Sequence, residues 1–63
     1  MSPEEEERAL QIVAERLRER HPTVEHGEIV RRIHIHAQEF DGRPIRDFVP
    51  LLVERQVLAE LRT

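Results

Sequence analysis

The 63-residue chain contains no cysteine, and this narrows its folding options more than any other feature. A domain of this length buries only about 60% of the surface its unfolded chain exposes. Disulfides, a structural metal, very regular helix packing or oligomerisation normally make up the shortfall. Without cysteine there is no disulfide, no cysteine-ligated zinc and no thiol nucleophile. Helix packing and oligomerisation remain, and the apolar pattern speaks for helices throughout.

Ser2, Pro3 and Glu5 open the first helix: a capping serine, a proline suited to the first helical position and the S-x-x-E capping box. Glu4, Glu5, Glu6 and Glu7 follow, where the helix dipole favours negative charge. Leu10, Val13, Ala14 and Leu17 recur at the spacing of one buried face. Arg16, Arg18 and Arg20 close the helix with positive charge, and Pro22 stops it. The pattern predicts a helix over 3–20. A second helix is expected over 24–40, with Thr23 as its cap and Ile29, Val30, Ile33, Ala37 and Phe40 as its apolar face. Asp41-Gly42 should end it, Gly42 taking the left-handed cap position. A third helix is expected over 48–61, with Asp47 as cap and Pro50 among the first residues, where its missing N–H costs nothing. The expected architecture is an all-α, antiparallel three-helix bundle, one domain spanning 1–63.

Helix three carries more apolar surface than one small bundle can use. Phe48, Leu51, Leu52, Leu58 and Ala59 fall on one side, and Val49, Val53, Val57 and Leu61 follow i, i+4, i+8, i+12 on another. A helix that is apolar nearly all round is expected to be buried nearly all round. We expect the phenylalanine–leucine stripe to close the core and the valine stripe, extended by Ile35 and Ile12, to meet a partner. A two-fold homodimer is the favoured arrangement. The alternative is that helix three sits centrally and both stripes are internal. Arg55 lies among the residues expected to face the core, where a buried guanidinium needs a carboxylate such as Asp47, Glu39 or a group of a second subunit.

Chemistry-bearing patterns are weak. His34 and His36 are two residues apart and point to different sides of a helix, so they cannot chelate one ion. His36 and Glu39 have a workable i, i+3 spacing but supply only two ligands. Glu4/Arg8 and Glu28/Arg32 are helix-surface pairs at i, i+4. There is no Ser-His-Asp set, phosphate loop or nucleotide fingerprint, and so few residues hardly enclose a water-excluding pocket. No catalysis, metal or cofactor is expected.

Net charge is −3, with all ten basic residues arginine and only two aromatics. That argues against nucleic acid as the main partner and leaves no stacking platform for bases. A DNA-binding or transcription-associated helical domain is still the second reading, with Arg31, Arg32, Arg43 and Arg46 as a basic edge. The longest apolar run, Phe48 to Val53, is far too short for a membrane span. No basic start followed by an apolar segment suggests a signal peptide, so the cytosol is the expected location.

The block Phe40, Gly42, Pro44-Ile45-Arg46-Asp47-Phe48-Val49-Pro50-Leu51-Leu52-Val53-Glu54-Arg55 resembles the three-helix bundle dimerisation domain of actinobacterial proteins. That domain occurs as a short stand-alone protein and at the N-terminus of arsenate-reductase or tyrosine-phosphatase-like enzymes. The resemblance covers nearly the whole chain, but only Phe40 to Arg55 is specific. It implies an all-helical bundle that pairs with itself. Beside the resemblance, the residues themselves make Phe40, Gly42, Asp47, Phe48, Pro50 and Arg55 expected structural positions. The enzymes' chemistry needs a cysteine in a separate domain. Another helical protein, or such an enzyme in trans, is therefore a further candidate partner.

Overall fold

A computed structural model describes residues 2–62. Helix α1 runs Pro3–Arg20, α2 His26–Gln38 and α3 Val49–Leu61. All three pack against one another, so the expected all-α three-helix bundle is what the chain forms.

The start of α1 follows its sequence signals closely. The Glu5 amide donates to Ser2 Oγ at 3.2 Å, and the Ser2 amide donates back to Glu5 Oε1 at 3.3 Å. Two otherwise orphaned donors are thereby satisfied reciprocally. At the other end the His21 amide bonds the Leu17 carbonyl at 2.9 Å, and Pro22 prevents a further turn.

Helix α2 is shorter than expected at both ends. Its cap is Glu25, which makes no side-chain cap bond, not Thr23. The Val24 amide bonds the His21 carbonyl at 3.0 Å, and Val24 packs half-buried on the core. That anchored turn delays the helix until His26. At the far end, bonds from Phe40 to Ala37 and from Asp41 to Gln38 tighten the chain into i→i+3 turns. Phe40 is buried there all the same.

Gly42 adopts φ +85°, the left-handed conformation expected of it. No atom would lie within 4 Å of a Cβ at Gly42 or at Gly27. Gly42→Ala therefore meets backbone strain alone and should cost about 1 kcal/mol. The corresponding fall in Tm, read by circular dichroism, is about 4–8 °C for a domain this size. Gly27→Ala, inside α2, should change stability in the opposite direction by about 0.5–1 kcal/mol.

The core consists of Val13, Ala14 and Leu17 from α1, Ile29 and Ile33 from α2, Phe40, and Val49, Val53 and Val57 from α3. Leu10, Leu52, Leu58 and Leu61 lie partly buried around it. Helix α3 is thus turned from the orientation expected: Leu52 and Leu58 stay against the core, but the valine stripe takes its centre. The valines assigned to a partner interface are inside the monomer, with Val53 at 0% exposure. Phe48 and Leu51, assigned to the core, are 65% and 53% exposed.

Charge decides between the two stripes. Arg55 sits between Leu51 and Leu58 on the same face, and turning that face inward would bury a guanidinium. Arg55 is exposed instead, so its supposed need for a buried carboxylate does not arise. The valine stripe carries no charge, and its flanking acids reach both neighbouring helices. Glu54 receives two bonds from Arg16 of α1, at 2.8 and 2.9 Å. Glu60 receives Arg32 of α2 at 2.8 Å.

Asp47 is not the cap of α3. The Val49 amide bonds the Arg46 carbonyl at 3.1 Å, which places Phe48 at the cap with φ −101° and ψ 2°. Pro50 becomes the second helical residue, still among the positions whose amides have no helical partner.

Candidate interaction surface

The segment between α2 and α3 is fixed in place by one arginine. Arg46 Nε donates to Glu6 Oε1 at 2.9 Å and Arg46 Nη2 to Glu6 Oε2 at 3.0 Å, a two-pronged bond to α1. Its Nη1 donates to the Phe40 carbonyl, closing the turn on itself. The Glu6 carboxylate, more than burial opposes it, holds the Arg46 guanidinium above its ordinary pKa. The Arg43 guanidinium lies 5.2 Å from the centre of the Phe40 ring, within cation–π range.

On the segment that Arg46 ties down the apolar side chains point outward. Ile45 is 73% exposed, beside Phe48 and, one turn along α3, Leu51. Phe40, Arg43, Pro44, Ile45, Phe48, Val49 and Leu52 line a hollow of about 340 Å³. Glu6, Asp41, Arg43 and Arg46 gather close by with the first residues of α1. One end of the bundle therefore carries an apolar surface together with charges of both signs.

The other residues assigned to an interface are distributed differently. Ile35 is half-exposed on α2, among Glu28, Arg31 and Glu39 on the same outer side of the helix. A single apolar side chain among charges is ordinary surface. Leu61 packs against the edge of the core. Ile12 is half-exposed on α1.

Of the four arginines of the supposed basic edge, three are held by carboxylates. Arg31 and Arg32 both bond Glu28, at 2.6–3.0 Å, and Arg32 also reaches Glu60. The Arg31 hydrogen bond, followed by charge from Arg31 and Arg32, outweighs burial and lowers Glu28 to a pKa of about 2. Arg46 is taken by Glu6. His34 is exposed and, with His26, borders an open groove between α1 and α2 lined by Leu10, Ala14, Val30 and Ile33. Among the described residues no three His, Asp, Glu or Cys side chains are placed to share a metal ion. No helix among them is long and apolar enough to cross a membrane.

Sequence reasoning did not foresee the exposure of Ile45 or the outward turn of Phe48 and Leu51. The available signal was Arg55, which marks the outer face of α3. The contact of His36 with Glu60 was also missed, because its partners are 24 residues apart. Comparison with family models, curated proteins and solved structures yields no match for this chain.

Proposed function

We propose that the chain is a non-catalytic, cytosolic association module that pairs with a second copy of itself through the end of the bundle formed by Ile45, Phe48 and Leu51. The observation that carries the reading is the concentration of large exposed apolar side chains on a segment that Arg46 ties to Glu6 and to the Phe40 carbonyl. A compact monomer of 7.5 kDa should expose about 4,250 Å², whereas this chain exposes 4755 Å². The excess is about 500 Å² per chain relative to that scaling. A two-fold interface of about 1,000 Å² in total, the size of weak and transient pairs, would cover an area of that order.

A second copy is favoured over an unrelated partner because the surface complements itself. Exposed Glu4, Glu5 and Glu7 begin α1 at the same end as Arg43. A two-fold axis there can oppose the acidic turn of one protomer to the arginine of the other. The resemblance to the dimerising bundle family points the same way. Pairing with another helical protein, or with a phosphatase- or arsenate-reductase-like enzyme, would use the same surface. The nucleic-acid reading has less support, since carboxylates occupy Arg31, Arg32 and Arg46.

Co-expression of two copies bearing different affinity tags tests the proposal. Purification through one tag should recover both copies, the selected one at about twice the amount of the other, as random pairing of equally expressed chains gives. Recovery of the selected copy alone, at concentrations well above micromolar, would contradict self-association.

A further inference from the structure

His36 occupies an unusual position on the seam between α2 and α3. Its side chain is only 14% exposed. Nδ1 lies 2.7 Å from Glu39 Oε1, at the C-terminal cap of its own helix, and Nε2 lies 2.8 Å from Glu60 Oε2 on α3. A neutral imidazole has one N–H, so it can donate to only one of these carboxylates. Its other nitrogen would then turn a lone pair toward an acceptor oxygen. Only the doubly protonated ring satisfies both contacts, and it does so with charge-assisted bonds.

We propose that His36, Glu39 and Glu60 form a proton-operated clamp that closes the α2–α3 seam when the ring is charged and loosens it when the ring is neutral. The clamp is built into the monomer and does not depend on self-association. Among the described residues, the charges acting on the ring are Glu39 at the C-cap of α2 and Glu60 from α3. Glu60 is also held by Arg32, which shares Glu28 with Arg31. Hydrogen bonds from Arg32 and then His36 outweigh burial and keep Glu60 below its ordinary pKa. Glu60 therefore stays ionised across the range in which the ring titrates.

Burial opposes the charged ring, but the hydrogen bonds to Glu60 and Glu39 prevail, and the His36 pKa stands above its ordinary 6.5. The folded state binds this proton more tightly than the unfolded chain does. The stabilisation is complete below pH 6.5 and disappears as pH rises through the folded-state value. Glu28 and Glu60 have the opposite sign: their lowered values contribute above pH 4.5 and lose their contribution as pH falls below it. The seam is thus tightest between these limits.

Thermal unfolding at one fixed protein concentration, from pH 5 to pH 9, reads the clamp. Wild-type Tm should fall by about 5 °C on the alkaline side, as expected for loss of one stabilising contact in so small a domain. His36→Gln should abolish that fall, while His34→Gln, altering an exposed ring, should preserve it. Nuclear magnetic resonance titration of the wild-type ring protons covers the case in which His36→Gln does not fold. The His36 ring should titrate above pH 6.5. A variant that lowers Tm equally at both ends of the range would reduce His36 to a packing residue and overturn the proposal. A His36 ring titrating at or below 6.5 would overturn it too.

Discussion

Val53→Asp is expected to leave the chain unfolded at room temperature, with its helical circular dichroism lost. Val53 is fully buried in the middle of α3, where the core residues of all three helices meet. An aspartate there must be buried as an unpaired charge or take up a proton, and either costs several kcal/mol. A domain of this length has a total stability of about 3–9 kcal/mol, so the substitution consumes most or all of it. Val53→Ala offers a graded comparison, removing two methyl groups for about 2–3 kcal/mol. The result also separates the two possible roles of the valine stripe. A folded monomer carrying Val53→Asp would mean that the stripe is a surface and that α3 is turned the other way.

The second large effect is expected at Phe48 and Leu51. Replacing both with glutamate should leave the bundle folded and separate it into single chains. Both residues are more than half exposed in the monomer, so little core burial is lost. In a dimer, four glutamates would stand where four apolar side chains are covered, each worth about 1.5–3 kcal/mol when fully buried. Partial burial still amounts to about 4 kcal/mol, or a rise in Kd of about 1,000-fold. Helical signal retained together with a halved molar mass is the expected pair of observations. Loss of helix in this variant would show that Phe48 and Leu51 support the monomer itself.

Local signals explain how much of this could be read from sequence. The S-x-x-E box at Ser2 and Glu5, the stop at Pro22 and the left-handed Gly42 act over three or four residues, and each appears as expected. Apolar spacing sufficed for α1 and α2, whose core faces include Val13, Leu17, Ile29 and Ile33, because each helix has one apolar side. It failed for α3, which has two. There the deciding information was the position of charge. Arg55 excludes one face from the core, while Glu54 and Glu60 find partners 38 and 28 residues away on different helices. Asp47 misled for a related reason. A capping residue type is a local preference, and the Arg46 clamp to Glu6 sets the turn from outside it.

His36 shows the same limit. Its i, i+3 relation to Glu39 is visible in the sequence, but the second carboxylate arrives through the packing of α3. Two ligands suggested a poor metal site, whereas the third group creates a site for a proton.

Light scattering of the wild-type chain across a dilution series tests the central claim most directly. The expected result is twice the 7.5 kDa chain mass at high concentration, falling toward a single chain on dilution or remaining a dimer if binding is tight. A mass of one chain at every concentration would contradict self-association through the exposed end of the bundle.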